Sequence, residues 1–364
     1  MNYEAREIFV AEIQVRAERD YSVRITGDWR GDLSPLASKR DRVAIISSAA
    51  MSSHIPTFNF SGVEVTHIEI PDGEAGKSST SLNFIWEKLA SAGFTRSDLI
   101  VAIGGGTVTD VSGYAAASWL RGIDWVAIPT TLAGMVDASV GGKTGINSPY
   151  GKNLIGAFHS PISVIIDPSW LRSLSDRDFA AGMAEVVKCG FIDDEEILNL
   201  IKGKSLSSIR NNAHLVNNLI ERSVTTKAKV VSEDFKESEL REILNYGHTF
   251  GHAIERVSDY SIRHGEAVSI GMVFVAELSR EAGLIDDELV LLHRELLQTL
   301  GLPVSIAMVA GGSNWPALYA AISLDKKARG SSIRFVILNS IANCGRLEGV
   351  TEEQLKSAYE KVLV

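Results

Sequence analysis

Three of the chain's eight histidines, His248, His252 and His264, fall in one short window: "LREILNYGHTFGHAIE" (240–255), then "RHGEAV" (263–268). His248 and His252 stand four residues apart, so on a helix both project from one face and could share a metal ion. The zinc-protease pattern H-E-x-x-H is not met, because the intervening "TFG" offers no glutamate base. Histidines packed inside a helix and satisfied by their neighbours remain the other reading of such a pair. His264 weighs toward a metal, and a carboxylate from elsewhere would complete a three-ligand zinc site with an open position. Glu185 in "GMAEVVKCG" is the candidate, with Lys188 one helical turn later on the same face.

Two other stretches could bind anions. "VAIGGGTVTDVSGYAAASWLRG" puts Gly104, Gly105 and Gly106 after a strand and is expected to open a helix at about Thr109, with Asp110 following. Glycines there let backbone N–H groups approach a phosphate at a helix N-terminus, although the spacing is not G-x-G-x-x-G. A plain tight turn would look the same. The upstream "DGEAGK" (Asp72 to Lys77) also follows a strand, and together the two loops favour a dinucleotide. "MVDASVGGKTGINSPYGKNLIGAF" (135–158) reads as a long functional loop holding Asp137, Lys143, Lys152 and Asn153. Its lysines could hold a phosphate or carboxylate while the aspartate orients a hydroxyl. A solvated surface loop is the alternative, but the apolar edges Met135, Val136, Leu154 and Ile155 point to inward packing. Further positive charge lies at Lys188, Lys227, Arg241 and the "DKK" of 325–327.

The elements that position these residues change in texture along the chain. "RVAIISS", "VEVTHIEI", "LIVAIGGG", "DWVAIPTT" and "ISVIID" read as nearly continuous apolar strands separated by helical patterns such as "SSTSLNFIWEKLASAG". That alternation predicts βα units and a parallel sheet covered on both faces. From about residue 170 the patterns are helical, with "SIRFVILN" the one strongly strand-like run. The expectation is an α/β nucleotide-binding domain over 1–168 and a mainly α-helical domain over 169–364. No apolar run approaches the ~18 residues of a membrane span, the N-terminus lacks a signal pattern, and two cysteines suit a reducing cytoplasm. A net charge of −9 argues against nucleic acid or an anionic membrane as partner, so an anionic substrate would need locally gathered cations.

Taken together, "DGEAGK", "GGGTVTD", "WLRGIDWVAIPTTLAGMVDASVGGKTGIN", "GKNLIGAF", "GMAEVVK", "LREILNYGHTFGHAIE", "RHGEAV" and "DKK" resemble, in order and over nearly the full length, 3-dehydroquinate synthase of the sugar phosphate cyclase superfamily. The resemblance implies a homodimer with bound NAD and a divalent metal, usually zinc, and an active site in the cleft between the two domains. It makes Glu185, His248 and His264 the metal ligands and turns His252 toward substrate. NAD would meet Asp72, Gly73, Glu74, Lys77, Gly105, Gly106, Thr107, Asp110, Thr130, Thr131, Lys143, Lys152 and the segment Trp170, Leu171, Arg172 and Ser173. The anionic C7 sugar phosphate would meet Asp137, Lys143, Lys152, Asn153, Lys188, Lys227, Arg241, Asn245, His252 and Lys326, and Arg121 would reach the partner subunit's site. The implied reaction turns 3-deoxy-D-arabino-heptulosonate 7-phosphate into 3-dehydroquinate and phosphate, in the shikimate pathway. It runs by transient oxidation, phosphate elimination, re-reduction and intramolecular aldol closure. "TVTD" replaces the commoner "VVGD", and "WLRS" departs from the family's usual side chains. The alternatives are a sibling cyclase and a metal-dependent polyol or glycerol phosphate dehydrogenase; the latter should lack "GGKTGINSPYGKN" and would accumulate NADH.

Overall fold

A computed structural model describes residues 10–364 except 238, 308, 312–313 and 330–332, and only the backbone of 324–329. Two compact units result: one is Met1–Leu174 with Lys227–Lys236, the other Ser175–Thr226 with Glu237–Val364.

The strands are β1 (Ala11–Val15), β2 (Tyr21–Ile25), β3 (Arg42–Ser48), β4 (Glu64–Ile70), β5 (Leu99–Gly104), β6 (Asp124–Pro129), β7 (Lys143–Ser148), β8 (Gly151–Phe158), β9 (Ser163–Ile166), β10 (Arg334–Ser340) and β11 (Asn343–Glu348). The first unit holds a seven-stranded sheet in the order β1-β2-β9-β6-β5-β3-β4. Its strands run parallel except for the antiparallel β1–β2 pair. Apolar residues on β5 are buried on both faces, as in a sheet covered by helices. One face packs Val43, Ile45, Val101, Ile103, Val126 and Ile128 on Trp29, Leu33 and Ala37 of helix α1 (Trp29–Ala37). Helices α2 (Ala49–Ser52), α3 (Ser79–Ser91) and α4 (Gly106–Ser118) complete the unit's helical layer. Succession reverses between β3 and β5, where open α/β sheets bind ligands beyond the strand ends. The glycine turn follows β5 at this switch.

The second unit is built on α5 (Asp176–Ile192), α6 (Glu195–Ile201), α7 (Leu206–Arg210), the first part of α8 (Ala213–Glu233), α9 (His248–Val257), α10 (His264–Glu281), α11 (Asp287–Thr299), α12 (Trp315–Arg329) and α13 (Glu352–Lys361). Helices α5 and α10 are buried nearly all round, from Phe179 to Ile192 and from Gly265 to Ser279, and so form the unit's core. Glycines set how closely they pack. A Cβ on Gly265 would lie 1.8 Å from the Ala181 carbonyl oxygen of α5, and one on Gly271 would lie 2.0 Å from that of Gly247 at the start of α9. Arg177 Nε and Nη2 grip Glu266 at 2.5 and 2.8 Å, tying the first turn of α5 to that of α10.

Several expectations change. Helix α4 begins at Gly106 and not near Thr109, with Gly105 as its extended N-cap, because two glycines without Cβ atoms let the helix start close against Thr131 and Ala138. The stretch 135–158 is not one long loop: a short helical turn, Gly134–Ala138, precedes the antiparallel hairpin β7–β8. Gly145 and Gly156 allow the two backbones to meet, since a Cβ on either would strike the opposite strand's carbonyl at 2.6 or 2.1 Å. Met135 and Val136 pack inward, but Leu154 and Ile155, which point to opposite faces of β8, are 62% and 43% exposed because that stretch of the strand is uncovered on both sides. Among the described residues, no helix is long and apolar enough to cross a membrane.

Candidate active site

Three helices of the second unit bring one carboxylate and two imidazoles together. Glu185 sits midway along α5, His248 begins α9 and His264 begins α10. Their ligand atoms lie within 4.8 Å of one another. His264 Nε2 is 3.4 Å and His248 Nε2 3.6 Å from Glu185 Oε1, while Lys188 Nζ is 2.5 Å from Oε2. Glu185 is 1% exposed, yet neither of its oxygens accepts a well-formed hydrogen bond. A buried carboxylate lacking such bonds, beside two imidazoles, is the donor set of a catalytic zinc that keeps an open position. The residues therefore fit a divalent ion.

Electrostatics sharpen the fit at Glu185 and His248, while His264 without an ion holds a proton that a bound metal would displace. Burial opposes ionisation of Glu185, but Lys188, His248 and His264 together hold its carboxyl well below the usual range. Burial, reinforced by Lys188, pushes His248 down to about 3, leaving a neutral imidazole with a lone pair to offer. Burial also acts against protonated His264, but Glu185 and Glu255 outweigh it and raise the group to about 10. His248 Nδ1 lies 3.1 Å from the Tyr246 carbonyl, an acceptor, so Nδ1 carries the hydrogen and Nε2 faces Glu185. Tyr246 is fixed in turn by its hydroxyl, 2.9 Å from His293 Nε2. His252 stands one turn along α9, exposed, with its ring 5.5 Å from that of His248 and 5.9 Å from that of His264.

In the first unit the glycine turn is a cradle. A Cβ on Gly105 would meet Thr131 at 3.1 Å, and one on Gly106 would meet Ala138 at 3.1 Å. Both glycines and Thr107 are half-buried at the N-terminus of α4, a position where backbone N–H groups are suited to an anion. Thr130 is buried and bonds through its N–H to the Gly104 carbonyl at 2.9 Å; Thr131 Oγ1 accepts from Gly134 N–H at 3.1 Å. Lys77 is buried with its ammonium on Asp110, one turn into α4. Burial pushes the Asp110 carboxyl up despite that lysine. Asp72 accepts from Ala50 N–H at 3.0 Å, Gly73 opens the turn Gly73–Gly76, and Glu74 accepts from Asn147 Nδ2 at 2.6 Å. Lys152 Nζ is 3.7 Å from Glu74, whereas Lys143 is exposed at the start of β7.

The remaining predicted residues divide by unit. Lys227 Nζ reaches Asp137 Oδ1 at 2.6 Å, within the first unit. Asn153 takes a left-handed φ of +57° on β8 and donates its backbone N–H to Asn147 Oδ1 at 3.0 Å. In the turn Pro168–Ser173, Leu171 is buried, and Trp170 rests on Trp29 with ring centres 5.5 Å apart. There Ser173 and Arg172 bond to nearby backbone carbonyls. Leu120 and Arg121 are exposed and strained, with φ of +48° and +69°. In the second unit Arg241 is buried and Asn245 Nδ2 donates to Glu237 Oε1 at 2.7 Å. The Lys326 side chain lies outside the described residues.

Known proteins carry the same pattern. Residues 67–181 match the profile of the 3-dehydroquinate synthase N-terminal region and residues 182–328 that of its C-terminal region. The 3-dehydroquinate synthase of Mycolicibacterium gilvum is 47% identical over 357 residues, 96% of this chain and 98% of the relative. The chain belongs to the 3-dehydroquinate synthase family. It is thus a phosphate-eliminating cyclase of the shikimate pathway, a lyase. Among solved structures, a 2-epi-5-epi-valiolone synthase from Streptomyces hygroscopicus with NAD+ and Zn2+ bound superposes with a TM-score of 0.85 at 25% identity, covering 96% of this chain and 98% of its own. A 2-deoxy-scyllo-inosose synthase complexed with carbaglucose-6-phosphate, NAD+ and Co2+ also reaches 0.85, at 24% identity over 97% of this chain and 100% of its own, and attests the dehydroquinate synthase-like fold.

Sequence reasoning passed over Glu255 and Tyr246. Glu255 is 2% exposed, with Oε2 3.3 Å from His264 Nδ1. Its spacing of seven from His248 was a readable signal, since i and i+7 share a helix face. Tyr246 acts through its backbone carbonyl, which no side-chain pattern reveals.

Proposed function

We propose that the chain converts 3-deoxy-D-arabino-heptulosonate 7-phosphate to 3-dehydroquinate and phosphate, with the first unit as the NAD-binding domain and the second as the metal- and substrate-binding domain. The observation that carries this reading is the buried trio of Glu185, His248 and His264, whose oxygens and nitrogens converge within 4.8 Å. When bound, NAD supplies a reversible hydride acceptor and a zinc or cobalt ion supplies Lewis acidity.

The chain's own residues bind and orient. Glu185, His248 and His264 hold the ion, and Lys188 balances the buried carboxylate. Backbone N–H groups of Gly105, Gly106 and Thr107 receive the nucleotide's phosphates. Lys77 with Asp110, Asp72 to Glu74, Thr130 and Thr131 shape the rest of its seat, with Trp170 to Ser173 at its border. Asp137, Lys143, Lys152, Asn153, Lys227, Arg241, Asn245 and Lys326 supply the cations and hydrogen bonds that an anionic sugar phosphate needs. Exposed on α9 beside the ligands, His252 holds the phosphate within reach of the carbon-bound proton that it removes during elimination.

The functional form is a homodimer in which Arg121 completes the neighbouring site. Support comes from the strained, exposed Leu120–Arg121 turn and from the exposed apolar side chains of Leu154 and Ile155. Sedimentation equilibrium of the wild type tests the dimer, and recovery of activity when an Arg121→Leu chain is mixed with a His252→Ala chain tests the shared site. Two cysteines without a disulfide fit a cytoplasmic setting.

Phosphate release from the heptulosonate phosphate, with zinc and substoichiometric NAD, tests the activity. Many phosphates per NAD without lasting absorbance at ~340 nm support it. Steady NADH accumulation would make the chain a dehydrogenase, and inertness toward this sugar would make it a sibling cyclase.

A further inference from the structure

We infer that Glu255 is a positioning residue that orients the metal ligand His264. The inference rests on the reading that Glu185, His248 and His264 hold the ion. Glu255 lies two turns after His248 on the same face of α9, and its carboxylate is 2% exposed. Its Oε2 is 3.3 Å from His264 Nδ1, while the other ring nitrogen, Nε2, points to Glu185 Oε1 at 3.4 Å. A carboxylate at Nδ1 retains that N–H, presents the Nε2 lone pair to the metal and makes the imidazole a stronger donor. The Tyr246 carbonyl does the same for His248 from 3.1 Å. Both imidazoles are thus held from behind with Nε2 forward, one by a backbone carbonyl and one by a buried charge.

Glu255 also belongs to a second group of donor atoms, with His252 and His264. His264 cannot serve both groups through Nε2, because its Nδ1 faces Glu255 and its Nε2 faces Glu185. The Glu185 oxygens lack well-formed hydrogen bonds, whereas Glu255 Oε2 is within reach of the imidazole N–H. Glu255 therefore stands behind the ligand.

The test measures zinc affinity of the full chain by competition with a chromophoric chelator, together with the visible spectrum of the Co2+-substituted protein. Partners of this kind change metal affinity by about 10–100-fold when removed. Glu255→Ala should fall in that range. Glu255→Gln keeps an acceptor oxygen and the side-chain volume, so it should fold and lose about tenfold, the low end of that range. Both should keep the Co2+ bands of the wild type. Wild-type affinity in Glu255→Gln overturns the inference, and so does an altered Co2+ coordination number in that variant, which would make Glu255 a ligand. His248→Ala is the control for the underlying reading: if it binds zinc as tightly as wild type, the metal site itself is misassigned, whatever the Glu255 variants do.

Discussion

Replacing Gly265 with alanine adds one methyl group where the structure has no room for it. The new Cβ would lie 1.8 Å from the Ala181 carbonyl oxygen, 2.5 Å from its carbon and 2.8 Å from its Cα. Carbon–oxygen contacts settle at about 3.3 Å or more, so α10 must retreat from α5 by roughly 1.5 Å. The obstacle is backbone in a buried helix, and no side chain can turn aside to relieve it. Overpacking of this kind costs about 1–3 kcal/mol, or roughly 2–4 °C of melting temperature per kcal/mol for a domain of this size. The larger effect falls on the metal. His264 adjoins Gly265 and Glu185 lies one turn beyond Ala181, so the same retreat opens the ligand trio, whereas metal–ligand distances tolerate only about 0.2 Å. Zinc affinity should drop at least about a hundredfold, or 2.7 kcal/mol, while circular dichroism still reports a helical protein. Calorimetry of the metal-free chain and chelator competition measure the two effects. A Gly265→Ala protein that melts with wild type and holds zinc equally well would refute the idea that this helix contact sets the ligand geometry.

Other perturbations separate the roles. His252→Ala should keep wild-type zinc affinity and lose about 10²–10⁴ in turnover; zinc loss on dialysis would place the residue among the ligands. Lys77→Met should weaken NAD binding about tenfold by calorimetric titration, the worth of one charge-assisted hydrogen bond, and an unchanged Kd would remove Lys77 from the nucleotide site. At Asp124, burial opposes ionisation, but bonds from Arg19 at 2.5 Å and Arg40 at 2.6 Å hold the carboxyl below its ordinary value. A depressed folded-state pKa means stabilisation that is complete above the unfolded value near ~4 and lost as pH falls through the folded one. Asp124→Asn should therefore cost about 1 kcal/mol at neutral pH, since one arginine is largely exposed, and nothing once wild-type Asp124 is protonated. Urea midpoints at both pH values decide it, and a difference that persists in acid would refute the assignment.

The chemistry was more legible in the sequence than the architecture around it. Strands β3, β5, β6 and β9 are runs of apolar residues buried on both faces, so their period-free pattern is strong. Strands β1 and β2 escaped notice because β1 alternates half-buried with exposed positions and β2 buried with half-buried ones, with charges such as Glu12 and Arg24 between apolar residues. The hairpin β7–β8 was hidden by its glycines, which read as loop formers but here bring two backbones into contact. At the site, "GHTFGH" and "RHGEAV" flagged the imidazoles, and the family resemblance separated His248 from His252. Spacing could not make that separation, because it depends on which side of α9 meets α5 and α10. Glu255 went unremarked because an acidic residue late in a helix ordinarily faces solvent, and only the tertiary fold shows this one buried.

The ten residues Lys227–Lys236 lie far along the chain yet belong to the first unit. Lys227 meets Asp137, Ser232 Oγ accepts the Arg16 N–H at 2.9 Å, and Phe235 packs against Phe158 with ring centres 5.3 Å apart and planes tilted by 56°. On the ribosome, the first 174 residues emerge without these partners, so Asp137 waits for its lysine until some fifty residues of the other unit have been made. A recombinant fragment ending at Leu174 would carry the same vacancy permanently. Translation order thus couples the completion of the first unit to the appearance of the second, and a dissected first unit would need its late segment grafted back.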